Sequence, residues 1–529
     1  MLKEYHISLS PEQANNDLSV AVALSGFESL DVNRIKKIET LKRSIDARQK
    51  QIKINLHLRV HIDVIEEDAS INEFANINYQ NVSDSPAVII VGAGPAGLFA
   101  ALRLLESGIK PIILERGKDV DSRRKDLALI SRQQRVDNDS NYCFGEGGAG
   151  TFSDGKLFTR SKKKGPVEKI LAILHSHGAP ANILYESHAH IGTDRLPEII
   201  KNIRKTIVSH GGEVHFNTKV TGFLYKNETS EGVDEPKEIV GVTTSDGGRF
   251  YGPVILATGH SARDTYRMIY KEGISMEPKG LAIGVRLEHP QELIDKIQYH
   301  TKGVRGKYLP PAEYSLLTRV DGRAVYSFCM CPGGIIVPSA SGPCQSAVNG
   351  MSPSNRGSKW ANSGIVVELL PDDVAGKSPL KMMEYQEDIE NRFYDEADKT
   401  QRAPAQRMTD FIGGQPSTSL NPSSYAPGIF ASRVDMLLPS AISSRLKKGM
   451  QEFGKKKRGF ITDKATVIGA ETRTSSPVRI IRDRETYCHP YIKGLYPAGE
   501  GAGWSGGIVS SAIDGQNAAA SVALLFVKN

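Results

Sequence analysis

The sequence predicts an α/β protein built around a Rossmann-like domain that binds a dinucleotide. Three observations predict this class. A fully apolar strand at residues 87–91 is followed by the glycine-rich turn GAGPAG, and an apolar helix runs from that turn to about Ser107. A second apolar strand at residues 111–115 ends in an acidic residue. Strand, helix and strand form a β-α-β unit of about 30 residues, which is the building block of parallel sheets.

A small module precedes this unit at residues 1–64. Apolar and polar side chains alternate from Asn55 to Val64, and this period of two predicts a half-buried strand. Four apolar residues before the strand share one helical face and predict a helix. They are Ile35, Ile38, Leu41 and Ile45. We therefore expect an α/β module, with a ferredoxin-like arrangement as one option, and place any protein partner here.

The remaining chain divides by composition. With roughly 150 residues per domain, a chain of 529 residues predicts three or four folding units. Residues 65–85 are rich in Asn, Asp, Glu and Ser and predict a linker. Residues 86–271 form the first part of the nucleotide domain. Residues 272–465 mix Gly, Pro and Ser without a clean period and are assigned to an inserted α+β substrate domain. Residues 466–529 return to strand, glycine turn and apolar helix, and close the nucleotide domain.

Composition restricts the class of protein. Hydrophobic residues make up 39% and charged residues 24%, as in ordinary globular proteins. The net charge of +7 is mild, and the basic runs at 160–164 and 455–458 lack interleaved aromatic residues, so we do not expect a nucleic-acid partner. The N-terminus has no signal-peptide layout, and the apolar run at 87–105 fits strand, turn and helix better than a membrane span. We expect a cytoplasmic protein without membrane contact.

Five cysteines are too few and too scattered for a disulfide framework. Cys329 and Cys331 form a C-x-C pair, which can bind a metal or act as a redox pair. No second cysteine or histidine pair stands at zinc spacing, so we expect no metal and interpret these thiols as structural.

The turn GAGPAG carries the strongest chemical signal. Gly92 permits the tight turn after the strand, Gly94 lets the backbone approach a pyrophosphate, and Gly97 lets helix and strand pack closely. The helix N-terminus offers free N–H groups to the phosphates. Glu115 lies 18 residues after Gly97, where its carboxylate can accept hydrogen bonds from ribose. The expected dinucleotide-binding residues in this part of the chain are Gly92, Gly94, Pro95, Ala96, Gly97, Glu115, Arg116 and Val220.

Two later segments distinguish between NAD and FAD. ATG at 257–259 follows an apolar strand, and GLYPAGE at 494–500 precedes a further run of glycines and a helix. Both resemble elements of the glutathione-reductase-like FAD superfamily. The resemblance implies that Thr258, Gly259, Gly499 and Glu500 contact FAD. A helix starting at about Gly507 and Ile508 would point its positive end at the flavin and stabilise the reduced, anionic form.

A third glycine-rich segment, FGEGGAGTFSDGK at 144–156, brings backbone close to a flat or anionic group. We assign Gly147, Gly148 and Ser153 to the cofactor. Lys156 is expected near flavin N5 or O4.

Longer motifs resemble one family over nearly the whole chain. They are FGEGGAGTFSDGKL, ATGHSARD, GVRLEHPQ, NGMS, ANSGIVV and PAGEGAGWSGGIVSSAIDGQNAA. They resemble the uncharacterised bacterial FAD-dependent dehydrogenase family, also described as NAD-utilising dehydrogenase-like. The resemblance implies an FAD fold with an inserted domain and does not identify a substrate. No second GxGxxG follows a strand, so NAD(P)H is expected at most as a transient reductant.

Candidates for the substrate side are fewer. Arg473 and Arg479 can bind a carboxylate in bidentate fashion, or form salt bridges near the flavin. His489 and Cys331 are candidates for proton transfer, and His260 and Arg263 for facing the nucleotide. The sequence thus predicts an FAD-dependent oxidoreductase that transfers a hydride between a small organic substrate and flavin N5. An FAD-containing RNA-modifying enzyme and a non-enzymatic flavin redox sensor are the alternatives.

Overall fold

The fold is described by a computed structural model covering residues 1–27, 30–65, 74, 77–159, 165–226 and 237–527. The basic run at 160–164 and most of the predicted linker's first half lie outside these residues. The second basic run ends a long helix, where Lys455 pairs with Glu452 at 2.6 Å.

The N-terminal module is a three-stranded antiparallel sheet with one helix. Its elements are β1 (Leu2–Leu9), α1 (Asp17–Ser25), β2 (Ile35–Asp46) and β3 (Lys53–Ile62). The central strand is β3, in the order β1-β3-β2. Ile54, Leu56, Leu58 and Val60 alternate inward along β3 and are buried, which confirms the strand expected from the period of two.

The helix expected at residues 35–45 is wrong, because this segment is the strand β2. The strand has irregularities in its pairing with β3, between Ile35 and Lys37 and between Thr40 and Lys42. Each bulge adds one residue to the strand, so apolar residues three apart can share one face. Ile35 and Ile38 both pack against the core in this way. Bulges therefore produced a spacing that imitates a helix.

The nucleotide domain begins with a parallel sheet flanked by helices. Its elements are β4 (Ala87–Val91), α2 (Pro95–Glu106), β5 (Lys110–Leu114), α3 (Val120–Gln133), α4 (Val167–Ser176), α5 (Leu196–Ser209), β6 (Glu213–His215), β7 (Val220–Tyr225), β8 (Lys237–Thr244), β9 (Arg249–Tyr251), β10 (Val254–Leu256) and α6 (Arg263–Lys271). Strands β10, β4, β5 and β6 are parallel neighbours. The predicted β-α-β unit is confirmed, and Gly108 follows α2 with a φ of +72°.

The middle of the chain forms a second, larger sheet. The elements of this region are β11 (Met276–Pro278), β12 (Leu281–Pro290), α7 (Gln291–Tyr299), β13 (Leu317–Val320), β14 (Arg323–Cys331), β15 (Ile335–Pro338), β16 (Val348–Met351), β17 (Trp360–Leu369), α8 (Lys381–Glu396), β18 (Ala403–Arg407), α9 (Met408–Gly413), β19 (Ile429–Ala431), α10 (Val434–Leu437), α11 (Ser440–Lys456) and β20 (Thr466–Glu471). Seven strands pair in the order β13-β14-β17-β12-β20-β18-β19. The boundary expected at 465/466 is therefore too early, because β20 pairs with β12 and β18 inside this sheet.

The C-terminal segment returns to the parallel sheet. Its elements are β21 (Val478–Ile480), β22 (Ile492–Lys493), β23 (Leu495–Pro497) and α12 (Ile508–Ala523). Strand β21 pairs with β11, and β23 joins the parallel sheet next to β10. Helix α12 packs along α2. A buried ion pair between Arg482 and Asp514, with N–O distances of 2.6 and 2.9 Å, ties this segment together.

The apolar cores follow this division. One core lies around α2, α5 and α12, and a larger one joins the seven-stranded sheet to the N-terminal module. Backbone bonds from Arg43 N to Tyr185 O and from Ser187 N to Arg43 O also attach β2 to the nucleotide domain. Within the described ranges, no helix combines the length and apolar character that crossing a bilayer requires.

We predict that Gly515→Ala destabilises the protein. A Cβ at Gly515 would lie 2.0 Å from Ala96 O, so α12 would have to move away from α2. Overpacking of this kind costs about 1–3 kcal/mol, against a gain of about 1 kcal/mol in helix propensity. Calorimetry should show a lower Tm. The control is Gly303→Ala, since a Cβ there meets nothing within 4 Å; equal Tm values for both variants would contradict the close helix contact.

Candidate functional site

The glycine-rich turn joins β4 to α2 as its motif predicts. Gly92 has a φ of +106°, which a side chain disfavours, and Gly94 is the extended N-cap of α2. Pro95 occupies the first turn of the helix, where its missing N–H costs no hydrogen bond. A Cβ at Gly97 would lie 1.9 Å from Gly92 O, so Gly97 permits the close packing of helix and turn.

Glu115 joins three separate backbone segments. Its Oε2 accepts a hydrogen bond from Ala93 N at 2.8 Å. Its Oε1 accepts from Gly117 N at 2.9 Å and from Gly145 N at 3.0 Å. The carboxylate therefore fixes the turn after β4, the end of β5 and the start of the segment at 144–156. It also lines the cavity beside them, where a ribose contact was expected.

The segment at 144–156 packs against the turn after β4. Gly147 N donates to Ala93 O at 2.8 Å, and a Cβ at Gly148 would lie 3.2 Å from Gly94 Cα. Ser153 Oγ donates to Gly150 O at 2.7 Å and closes the loop. The backbones of the two glycine-rich segments thus lie directly against each other. Because no side chains project from these glycines, a ligand can approach the backbone closely.

Arg116 occupies the far end of the cavity, after β5. It forms ion pairs with Asp264 at 2.8 Å and with Asp139, and its guanidinium lies 4.2 Å from the Phe144 ring centroid. Burial would raise the pKa of Asp264, but Arg116 and Lys219 outweigh it and hold that pKa well below its usual value. The guanidinium is therefore charged and held in place.

All these elements surround one cavity of about 1470 Å³, a volume that includes its open mouth. Most predicted residues line it. They are Gly92, Gly94, Pro95, Ala96, Glu115, Arg116, Gly148, Ser153, Lys156, Val220, Thr258, Gly259, Arg473, Glu500, Gly507 and Ile508. Gly97, Gly147 and Gly499 pack immediately behind the wall: a Cβ at Gly499, for example, would lie 2.7 Å from Ala96 Cβ.

The C-terminal segment supplies the opposite wall. Gly507 is the N-cap of α12 and Ile508 its first residue, so the positive end of a 16-residue helix faces the cavity. Gly499 N donates to Asp514 at 2.7 Å, which anchors the turn that carries Glu500. His260 also lines the cavity, and burial lowers its pKa, which favours a neutral imidazole.

Lys156 lies at the border between the cavity and the seven-stranded sheet. Its Nζ donates to Met330 O and lies 3.9 Å from Asp154. Burial lowers the pKa of Lys156, but the negative groups around it, led by Cys329 and Cys331, raise it further than burial lowers it. The ammonium is therefore directed at the C-x-C strand end.

Arg473 belongs to a buried charge network. Glu390 accepts from Arg473 Nη2 at 2.9 Å and from both Nη atoms of Arg263 at 2.8 and 2.9 Å. Arg473 Nε also donates to Glu390 Oε1 at 3.1 Å, its Nη1 donates to Ser341 Oγ at 2.5 Å, and its Nη2 donates to Gln345 Oε1 at 2.6 Å. The network therefore joins Arg473, which lines the cavity, to the buried Glu390 and Arg263, which do not line it.

Two expected catalytic candidates lie elsewhere. Arg479 is partly exposed, pairs with Glu277 at 3.0 Å and lies over Trp504. His489 is buried and accepts from Tyr491 N at 3.3 Å. Neither lines the cavity. Arg479 lies on β21 and His489 shortly precedes β22, and no residue of either strand lines the cavity.

Sequence reasoning missed part of the wall. Cys143 and Phe144 line it from the nucleotide domain, Phe328 and Cys329 line it from β14, and Asn349 lines it from β16. Glu390, which holds Arg473, was also missed. The C-x-C pair was visible in the sequence, but only the pairing of β14 with β17 shows that it reaches the cavity.

Three family models match parts of the chain. The one described as FAD binding domain matches residues 85–132. The one described as FAD-dependent protein, C-terminal domain-like matches residues 280–474, which coincides with the seven-stranded sheet. The N-terminal module at residues 1–61 matches a domain of unknown function (DUF8436).

Solved structures are only distantly similar. A geranylgeranyl bacteriochlorophyll reductase-like protein from Thermoplasma acidophilum has 12% identity and a TM-score of 0.35, with 84% of this chain and 79% of that chain covered. The protein CtdE in complex with FAD has 12% identity and a TM-score of 0.32, with 83% and 84% covered. At such low scores these similarities say nothing about activity.

One relative is close in sequence. A protein of Clostridium beijerinckii, itself uncharacterised, is 41% identical over 499 residues, which cover 91% of this chain and 91% of the relative. The chain therefore has an FAD binding domain and belongs to the same family of FAD-dependent proteins as this Clostridium beijerinckii relative.

Proposed function

We propose that the protein is an FAD-dependent oxidoreductase that transfers a hydride between a small organic substrate and flavin N5. The observation that carries this proposal is the composition of the cavity wall. The turn GAGPAG, Glu115, the N-terminus of α12 and the edge of the seven-stranded sheet all face one space. A dinucleotide-binding domain facing a second domain across a cleft is where ligands bind in α/β proteins.

The residues present fit FAD along the whole cavity. Glu115, Arg116 and Val220 would hold the adenosine end, and the turn at Gly94 would hold the pyrophosphate against the N-terminus of α2. A Cβ at Gly94 would meet only Gly148 Cα, at 4.0 Å, so this glycine opens onto free space. Bound FAD would supply a two-electron acceptor.

Positive groups at the flavin end of the cavity oppose the carboxylate of Glu500, which also lines the wall. The N-terminus of α12 contributes a partial positive charge at Gly507. Arg473 lines the same wall and shares the carboxylate of Glu390 with Arg263, which also pairs with Glu387 at 3.9 Å. The positive groups would stabilise a reduced, anionic flavin or an anionic substrate. Arg473 would have to exchange Ser341 or Gln345 for a substrate carboxylate, because all its donors are engaged.

We predict that Gly94→Val yields a folded protein without flavin. The backbone at Gly94 is extended and its Cβ direction is open, so valine fits the protein but occupies the pyrophosphate space. FAD affinity should fall about 100-fold or more, equivalent to about 2.8 kcal/mol. Visible absorbance and fluorescence titration measure this loss. Gly303→Val, at an open site far from the motif in sequence, is the control; full flavin in Gly94→Val would contradict the proposed cofactor site.

We predict that Glu390→Gln destabilises the protein by about 3–5 kcal/mol at pH 7, because two buried guanidinium groups lose their shared counter-charge. Burial would raise the pKa of Glu390, but Arg263 and Arg473 outweigh it and hold that pKa far below its usual value. A carboxylate whose pKa is lower in the folded than in the unfolded protein stabilises the fold at pH values above its unfolded pKa of about 4.3. This stabilisation is lost as the pH falls below that value. The Tm difference from wild type should thus be largest at neutral pH and shrink below about pH 4.

The matched control for this experiment is Asp373→Asn. Asp373 pairs with Arg323 in a partly exposed ion pair at 2.6 Å. Exposed pairs contribute about 1 kcal/mol or less, so this variant should keep nearly the wild-type Tm. Equal losses in the two variants would contradict the structural importance of the buried network.

We further propose NADH or NADPH as a transient reductant. GAGPAG joins β4 directly to α2, and the other two GxGxxG stretches, at 145–150 and 501–506, belong to segments that line the same cavity. A nicotinamide would therefore bind without its own nucleotide domain and with low affinity. We expect bleaching of the flavin band during anaerobic titration with one of the two coenzymes, with weak saturation. A band that stays oxidised with both would contradict this reductant and direct the search to a substrate that reduces the flavin itself.

A further inference from the structure

The cavity wall ends in two neighbouring thiols on β14. Cys329 has a φ of +43°, and the pairing of β14 with β17 shifts register between Phe328 and Cys331. This bulge turns the strand end, so that Cys331 Sγ donates to the backbone carbonyl of Cys329 at 3.3 Å.

The two sulphur atoms have different surroundings. Cys329 lines the cavity that we assign to FAD, between Phe328 and Asn349. Cys331 is fully buried behind it. One thiol therefore faces the cofactor space and the other is enclosed by protein, as in a pair with one reacting and one resolving member.

Positive charge surrounds the pair. Arg286 Nη2 lies 3.4 Å from Cys331 Sγ and donates to Cys329 O at 2.7 Å. Lys156 Nζ donates to Met330 O, between the two cysteines. The acidic groups nearby are Asp154, which pairs with Lys156, and Glu471, which pairs with Arg286 at 3.1 Å.

These charges favour one thiolate and one thiol. The neighbouring Cys331 thiol lowers the pKa of Cys329 first of all, and Lys156 and Arg286 lower it further against the effect of burial. The interaction with Cys329 and burial raise the pKa of Cys331. A thiolate is the reactive form of cysteine, and a neutral neighbour supplies the proton of a dithiol reaction.

Metal binding fits the pair less well. Within the described ranges, no cluster of three or more His, Cys, Asp or Glu side chains is arranged to hold a metal ion. The neighbours of the pair are the cationic Lys156 and Arg286, which repel a metal cation. The same cations favour a thiolate that faces an electron acceptor.

We propose that Cys329 and Cys331 are a redox-active dithiol that exchanges an electron pair with the flavin; this rests on the proposed FAD site. In the forward direction the Cys329 thiolate and the Cys331 thiol form a disulfide. The S–H bond of Cys331 breaks, two electrons pass to FAD, and the proton completes the anionic reduced flavin. The reverse reaction reopens the disulfide with two electrons and one proton.

The test is the electron capacity of the FAD-loaded protein. We oxidise it in air, remove small molecules, and titrate it anaerobically with dithionite while following the flavin band. A disulfide and a flavin each take two electrons, so wild type should take up about four electrons per FAD. Cys329→Ser and Cys331→Ser should each take up about two. Cys344→Ser, an exposed cysteine outside the cavity, should match wild type.

Mass spectrometry gives a second readout that needs no variant. Air-oxidised wild type is denatured and alkylated before and after reduction. The peptide that contains Cys329 and Cys331 should resist alkylation before reduction and gain two labels after it.

The outcomes separate the two proposals. A protein that binds FAD, takes up two electrons per flavin and shows two free thiols in that peptide overturns the dithiol but leaves the flavoenzyme intact. A protein that binds no FAD overturns both. Loss of the additional two electrons in Cys344→Ser would also overturn the assignment, since it would place the reducible group elsewhere.

Discussion

The site depends on the carboxylate of Glu115, because it joins three backbone segments at one end of the cavity. Its oxygens accept hydrogen bonds from Ala93, Gly117 and Gly145, at 2.8 to 3.0 Å. Each N–H belongs to a segment with no regular partner in the sheet, and a buried N–H without an acceptor costs about 1–3 kcal/mol. This side chain and the hydrogen bond from Gly147 N to Ala93 O together set the separation of the two glycine-rich segments.

The second domain completes this space through charge as much as through shape. The Glu390 carboxylate on α8 holds Arg263, which begins α6, and Arg473, which follows β20. The network therefore connects the parallel sheet to the seven-stranded sheet. A change in the relative position of the two sheets would leave a buried charge without its partner. Because a lone buried charge is far costlier than a mismatched apolar contact, this network orients the seven-stranded sheet at the cavity more strictly than the apolar core does.

Local sequence patterns predicted those elements whose structure is determined by residues that are close together in the chain. The β-α-β unit follows from apolar runs and glycine positions, and most expected FAD residues line the cavity. Strand β2 was missed because its irregularities arise from pairing with β3, which lies later in the chain. No local sequence pattern identifies Glu390, because its partners Arg263 and Arg473 are separated from it by 127 and 83 residues. The same holds for Cys329, whose place in the wall depends on β17.

Lys156 connects the nucleotide domain to the seven-stranded sheet at the cavity. The sequence placed this lysine near flavin N5 or O4, and it does line the cavity, yet its ammonium donates to Met330 O on β14. An ammonium has three donors, so one bond to the strand end leaves others for a cofactor. Its charge can therefore stabilise a thiolate at Cys329, and it would also stabilise an anionic flavin bound in the cavity. In the proposed dithiol reaction this lysine would supply a fixed positive charge near both sites, so that negative charge could pass from the thiols to the flavin without requiring its side chain to move.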